Sequence, residues 1–350
     1  MTSAVPSVVS IATARRPRPF AAALVRWYER QHRELPWRAT RDPYRILVSE
    51  VMLQQTRAQA VIPYYQRFLD RFPDVHALSA AREADVLAAW SGLGYYSRAR
   101  NLQDAALAIV ARGGFPRDYA AIRELPGVGP YTAAAVASIA FGAPHAVVDG
   151  NVLRVIARLQ DDAADIQSSR TRARFQRIAD DLLDRRNPAQ FNQAIMELGA
   201  TVCLPRAPLC PACPVAQFCL ARETGRQLEL PIKGNKQASR RITLTVAVVE
   251  RNGGVLLRRR SASASLMAGF WELPAPEDLP GWRPAETLGS FRHTITHHRY
   301  TITVLTGKVL AAPKGFRWRR TRLLTRIPLT TVARKALRLV TANTEPSATA

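Results

Sequence analysis

The sequence predicts a multidomain chain, with an all-α domain first and a small α+β domain after it. Three observations carry this. Up to about residue 222 the apolar residues recur at helical spacing, and strand alternation is absent. Four cysteines, Cys203, Cys210, Cys213 and Cys219, fall within 17 positions at the end of that stretch. After a segment at 224–240 without a period, the texture turns to short alternating apolar runs.

The length of 350 residues suits two domains that each bury a core. The formal net charge of +23 points to a polyanion, most simply nucleic acid, as partner. The charge is uneven: Ala221 to Val340 holds 23 Lys/Arg against 7 Asp/Glu. The second domain is therefore expected to face DNA as well. No run of 18 apolar residues exists, so no membrane span is expected. Met1 to Arg18 reads as a basic disordered tail, and the last residues from Thr341 as another. Clustered cysteines without a secretory pattern imply a reducing compartment and a metal site, hence a cytoplasmic, nucleoid-associated protein.

In chain order, Phe20 to Gln31 reads as an amphipathic helix, and Leu35-Pro36-Trp37-Arg38 as an extended turn. Asp42 and Pro43 make a cap and first-turn pair for a helix from Pro43 to Leu53. Glu50 lies in that apolar helix, where a carboxylate needs a partner, a proton or a cavity. Thr56 is expected to cap a further helix reaching Phe68, with Gln54 and Gln55 at the junction, where long amides could touch base edges or bond the turn. Asp85 to Trp90 forms a helical piece ending in Gly92-Leu93-Gly94-Tyr95-Tyr96, with Arg98 and Arg100 behind. Two tyrosines beside arginines suit an aromatic wedge flanked by phosphate contacts, or core packing. Asn101 to Ala111 continues as helix.

A periodic segment from Tyr119 halts at Pro126, and an Ala-rich one runs from Thr132 to Phe141. Between them Gly127 and Gly129 can take backbone angles other residues avoid, so the turn can offer N–H groups to a phosphate. Asp149 follows in the polar turn Val148-Asp149-Gly150-Asn151, where two apolar helices could carry a carboxylate to the phosphate-gripping loop. Helices are expected at Val152–Leu159, Thr171–Leu183 and Pro188–Gly199, the last stopped by Gly199. The cysteines read C-x6-C-x2-C-x5-C among four prolines, a spacing open to tetrahedral zinc or an iron–sulfur cluster and leaning to the latter.

Beyond the aperiodic segment, strands are expected at Arg241–Glu250, Val255–Leu257, Trp271–Leu273, Gly289–Thr294 and Arg299–Leu305, with an Asn252-Gly253 hairpin and a closing helix at Thr331–Val340.

Taken together, Ser49-Glu50-Val51-Met52-Leu53-Gln54-Gln55-Thr56, the Gly92 to Asn101 run, the hairpin with Val148-Asp149-Gly150-Asn151 and the cysteine loop resemble the MutY-type adenine DNA glycosylases of the helix-hairpin-helix superfamily, over roughly Pro19 to Val340. The resemblance implies a helical glycosylase domain at 19–222 with a [4Fe–4S] loop at 203–219, a linker at 223–240, and a Nudix-like domain at 241–340. It implies hydrolysis of adenine mispaired with 8-oxoguanine or guanine in double-stranded DNA by a monomer. Glu50 would then be the acid at adenine N7 and Asp149 the stabiliser of the sugar cation, beside Asn151. Trp37, Arg38 and Gln193 would line the adenine pocket, and Tyr95 with Gln54 would wedge the stack. Tyr131 stands where bifunctional relatives carry a nucleophilic Lys, which implies an intact abasic strand as product. In the second domain, Ile295-Thr296-His297 stands where the family has Phe-Ser-His, so Thr296 and His297 are the base-recognition candidates. A Nudix catalytic box is missing between Gly269 and Leu288, which implies binding without nucleotide hydrolysis.

Overall fold

The computed structural model describes residues 17–234, 240–261, 263–264, 267–295 and 298–344. These form two compact units, one from residues 17–79 with 104–234, the other from 80–103 with the described residues from 240 onward.

Among its described residues the first unit has helices and no strand. It opens with α1 (Pro17–Gln31), α2 (Pro43–Leu53), α3 (Ala58–Arg71) and α4 (Val75–Ser79). The chain passes through α5 (Glu83–Ala89) and the first half of α6 (Ser97–Ala111), which are counted with the second unit. It returns for α7 (Tyr119–Arg123), α8 (Pro130–Phe141), α9 (Gly150–Leu159), α10 (Ser169–Leu182), α11 (Pro188–Thr201) and the short α12 (Leu220–Glu223).

The caps explain the boundaries. Asp42 accepts bonds from the amides of Tyr44 and Arg45 at 2.8 and 3.2 Å, and Pro43 fills the first turn of α2. Asp118 caps α7 and Asn187 caps α11 in the same way. Thr56 does not start α3: Arg57 holds the cap position, and the Thr56 hydroxyl donates to the carbonyl of Gln54 instead. Nor does Gly199 stop α11, which runs on to Thr201. Gly199 serves packing, since a Cβ there would lie 2.7 Å from the Cβ of Asn151 on α9. Glycine lets the two helices approach at the point where the candidate site is built.

At the helical hairpin, the conformational freedom is used once. Gly127 takes φ 71°, whereas Gly129 has an extended backbone and acts as the N-cap of α8. A Cβ at Gly129 would meet nothing within 4 Å, so that side of the turn is open. The Ala-rich α8 is buried from Thr132 to Ile139 and forms the centre of the unit, packed on α2, α7 and α11. Small side chains allow helices to close around it on several sides.

The aperiodic segment is well anchored at its start. Leu230 is buried, its carbonyl accepts from Arg158 Nε at 3.0 Å, and the amide of Gly234 donates to Asp165 at 3.0 Å.

In the second unit, β1 (Arg241–Arg251), β2 (Gly254–Arg259), β3 (Trp271–Glu272), β4 (Arg283–Ile295), β5 (His298–Lys308) and β6 (Phe316–Arg320) form one six-stranded sheet. The path is β3-β2-β1-β5-β4, with β6 paired to the free side of β2. β1 and β5 run parallel from Arg241↔Arg299 to Val249↔Gly307, and the other pairings are antiparallel. Alternation sorts the side chains of β1 and β2 to two faces. Val246, Val248, Val255 and Leu257 pack under Ala333, Ala336 and Val340 of α13 (Thr331–Thr344). Ala247, Val249 and Leu256 pack on the opposite face with Leu279 and Phe316. Helix α13 continues past Val340 to Thr344, so residues 341–344 are helical and not part of a disordered tail. Residues 1–16, 345–350, 296 and 297 lie outside the described residues, and with them Thr296, His297 and most of the expected tails.

Candidate active site

One hollow of about 900 Å³ opens inside the first unit, within the roughly 300–1,000 Å³ range of ligand sites. Glu50 from α2, Tyr131 from α8, Asp149 and Asn151 at the start of α9, and Gln193 and Glu197 from α11 all line it. Trp37, Arg38, Gln54 and Gln55 complete the same wall. Two acidic residues 99 positions apart in the chain thus share one cavity.

Glu50 is 4% exposed, on the face of α2 that turns to the hollow. The Tyr131 hydroxyl donates to Glu50 Oε2 at 2.7 Å and also lies 3.2 Å from Met196 Sδ. Burial pushes the Glu50 carboxyl up to about 7, against the hydrogen bond from Tyr131, while the nearby Asp149 adds to the rise. At neutral pH a large share of Glu50 is therefore protonated. Burial likewise raises the Tyr131 phenol, so it stays a neutral donor.

Asp149 is the N-cap of α9. Its Oδ1 accepts from the Val152 amide at 2.7 Å and its Oδ2 from Asn151 Nδ2 at 3.0 Å. Burial raises its pKa, opposed by these bonds and by the charge of Arg154. The loop that delivers Asp149 is pinned from α11: Asn192, fully buried, donates to Ser138 Oγ and the His145 carbonyl at 2.8 Å each and accepts from the Val147 amide at 3.1 Å. Asn151 is fixed in turn by Arg154 Nη2 at 3.0 Å, a guanidinium that also donates to the carbonyls of Gly199 and Cys203.

Arg38 is committed within the wall. Its Nη2 donates to Glu197 Oε2 at 2.6 Å, and Arg33 reaches Glu197 through Nε at 2.8 Å and Nη2 at 2.7 Å. Burial alone would raise the Glu197 carboxyl, but these charge-assisted bonds outweigh it and hold it at about 2. Trp37 packs edge-on to Tyr65 at 5.5 Å, and Gln193 accepts from the Tyr28 hydroxyl at 3.1 Å. Gln54 Nε2 reaches toward Thr132 Oγ1 at 3.5 Å, and Gln55 takes φ 58° at the turn. Gly127 and Gly129 stand on the exposed turn before α8, outside the lining residues. Tyr95 belongs to the second unit, where it is 46% exposed under the Arg98 guanidinium, while Tyr96 is buried against Phe270.

Sequence reading missed Glu197, Arg33 and Asn192. A lone Glu in an apolar stretch of α11 was the available signal for the first, by the reasoning that singles out Glu50.

The four cysteines form no disulfide, are partly buried, and all four line one small hollow beside Arg158 of α9. Arg158 is 1% exposed and donates to Cys203 Sγ at 3.2 Å as well as to the carbonyls of Leu204 and Pro205. Burial first, and then the neighbouring cysteines, raise the Cys213 thiol to about 12. Among the described residues no three His, Cys, Asp or Glu side chains converge closely enough to hold a single metal ion. Four soft sulfur donors around one hollow do fit the ligand set of an iron–sulfur cluster.

The fold and this cavity define a class. Residues 48–180 match the HhH-GPD superfamily of base excision DNA repair proteins. Among solved structures, a thermostable thymine-DNA glycosylase superposes with a TM-score of 0.55 at 30% identity, covering 61% of this chain and 99% of that one. An endonuclease III trapped on DNA superposes at 0.52 with 24% identity, over 61% of this chain and 98% of that one, a likeness of fold. The human adenine DNA glycosylase is 34% identical over 384 residues, 85% of this chain and 70% of the relative, and the mouse enzyme is 35% identical over 85% and 73%. The chain belongs to the adenine DNA glycosylases, base excision repair enzymes that hydrolyse an N-glycosidic bond in DNA.

The contact between α9 and α11 yields a direct test. Gly199→Ala is expected to push Asn151 away from its place, costing about 1–3 kcal/mol by overpacking. Adenine release should fall with it, because Asn151 orients Asp149. A thermal melt and a single-turnover assay on the same preparation check both.

Proposed function

We propose that the chain removes adenine paired with 8-oxoguanine or guanine in duplex DNA and leaves the abasic strand intact. The carrying observation is that Glu50 and Asp149 line one nucleoside-sized hollow, with Tyr131 hydrogen-bonded to Glu50. The adenine must leave the stack to reach them. Neutral Glu50 gives its proton to N7 as the bond from C1′ to N9 breaks and the bonding pair leaves with the base. The sugar left behind is an oxocarbenium ion, which the ionised Asp149 faces and stabilises. Water then adds at C1′ and its proton passes to the Glu50 carboxylate, which restores the acid. Tyr131 holds the Glu50 carboxylate in place and supplies no amine, so no Schiff base forms.

Other parts of the chain support the reading. The open side of Gly129 and the first amides of α8 suit a DNA phosphate. Cys203, Cys210, Cys213 and Cys219 would hold one [4Fe–4S] cluster, which would cross-link their loop and place a redox-capable centre there. Tyr95 and Gln54 are read as contacts with the opened stack. In the Nudix-like second domain, Thr296 and His297 are read as contacts to the base opposite the adenine.

The experiment is a single-turnover assay on matched duplexes holding adenine opposite 8-oxoguanine, guanine or thymine. Fast release of free adenine opposite 8-oxoguanine and guanine, with strand breaks only after alkali, is expected. Release of a pyrimidine instead, or breaks without alkali, would overturn the proposal. Protein purified under argon should be brown, with about four irons per chain, the complement of a [4Fe–4S] cluster; loss of the colour on replacing Cys213 by Ser checks the ligand.

A further inference from the structure

The hairpin end of the second unit's sheet carries a hollow that the excision chemistry does not use. It encloses about 430 Å³ and is lined by Arg251, Asn252, Gly254, Trp318 and Arg320. Three strands build it. Arg251 stands opposite Gly254 across β1 and β2, and Gly254 stands opposite Arg320 across β2 and β6. With neighbouring strands about 4.8 Å apart, these residues make one row about 10 Å wide whose middle member has no side chain. Trp318 is the next residue of β6 on that face, partly buried against the core at Leu256 and Phe316. The geometry is fixed by Thr321, whose amide and hydroxyl donate to the Gly253 carbonyl at 3.0 and 3.2 Å.

The electrostatics are one-sided. Among the described residues neither Arg251 nor Arg320 forms an ion pair, whereas Arg258 on β2 and Arg260 just beyond it are both bound to Glu272. Two guanidiniums without an ion pair thus stand on either side of a glycine gap, with the Trp318 indole in the next row beside Arg320. A group with a flat apolar face and a negative charge at each end fits that arrangement. Nucleotides in a single strand have this form, because every base offers a π face and is bounded by phosphates.

We propose that the Arg251–Trp318–Arg320 hollow binds a nucleotide of single-stranded DNA, the base against the indole and its flanking phosphates on the two arginines. The inference deepens the reading of the chain as a DNA enzyme, yet it is measurable without base release.

The test is the anisotropy of a labelled thymidine 12-mer on the full-length protein, titrated at several salt concentrations. Arg251→Gln with Arg320→Gln is expected to weaken binding roughly 10-fold and to flatten the logarithmic salt slope by about 1.4, two phosphate contacts at about 0.7 each. Trp318→Leu should weaken binding about 5- to 10-fold with the slope unchanged, and Trp318→Phe should restore most of it. A charge-matched control, Arg283→Gln with Lys314→Gln, removes two exposed cations elsewhere on this unit. An equal loss in the control, or no loss in the hollow variants, overturns the proposal. Displacement of the 12-mer by free thymidine triphosphate at equal nucleotide concentration overturns the strand assignment. Single-turnover adenine release should match wild type in every variant. Wild-type protein that releases no adenine overturns the glycosylase proposal alone and leaves the anisotropy result standing.

Discussion

Glu50→Gln is expected to abolish most adenine release and, at the same time, to make the protein more stable. General acids of this kind contribute about 10²- to 10⁴-fold to rate, so single-turnover release should fall by that range. The stability effect follows from burial. The carboxyl rises from an ordinary 4.5 to about 7 in the folded chain, which corresponds to roughly 3 kcal/mol. Its folded pKa lies above its unfolded one, so the fold is undisturbed below about pH 4.5. The stability is lost progressively as pH rises through about 7, where the fold must hold a buried charge. Glutamine carries no such cost. Denaturant melts should therefore show the variant and wild type alike at pH 4 and the variant ahead at pH 8. Wild-type excision should itself decline about tenfold per pH unit above 7, as the acid form disappears. A variant that is inactive but no more stable at pH 8 would sink the burial argument and leave the catalytic one.

Glu197→Gln is expected to be the most damaging single change in the wall of the hollow. It removes the anion that Arg33 and Arg38 share and leaves two guanidiniums facing each other. Breaking a buried pair costs about 3–5 kcal/mol, and the partial exposure of Arg33 favours the lower end. Here the sign is the reverse of that for Glu50. The folded carboxyl sits at about 2, below its unfolded value, so its contribution is present above about pH 4.5 and lost as pH falls toward 2. Wild type and variant should differ most near pH 7 and converge in acid. Adenine release should fall about 10²-fold, because Arg38 lines the hollow and loses its anchor. Normal stability at pH 7 in the variant would show that the two arginines relax into solvent.

The helical half was legible in the sequence wherever a cap and an apolar stripe agreed. Asp42-Pro43 and the Ala-rich run to Phe141 did so, and α2 and α8 lie where expected. Glu50 stood out because a carboxylate in an apolar helix needs an explanation, and Asp149 because a polar turn between two apolar helices could carry it toward the glycine turn; both line the one hollow. Asn192 was not legible, since its partner Val147 is 45 residues away; Glu197 carried the same signal as Glu50, but its pairing with Arg33, 164 residues away, appears only through tertiary packing. Gly199 was misread for a related reason: a glycine near a helix end looks like a stop, and its use as a contact surface appears only once α9 lies against it. In the second unit β6 was missed. Phe316-Arg317-Trp318-Arg319-Arg320 does alternate, but its arginines hide the pattern from a search for apolar runs, and Arg319 covers Trp271 at 4.1 Å as a flat lid would. The β4 strand was shortened because Pro284 and the shift of register at Gly289 interrupt its period.

The outer side of β6 has a colloidal consequence. Among the described residues this short strand pairs only with β2, so its other side is a sheet edge open to a passing extended chain beyond Phe316, whose amide donates to the Pro313 carbonyl at 3.0 Å. Three arginines in five residues make that margin mutually repellent between molecules. The repulsion reaches only about 8 Å at physiological ionic strength and about 3 Å in molar salt. Concentrated stocks should therefore stay clear in dilute buffer and turn cloudy as salt is raised, the opposite of what a neutral rim would show.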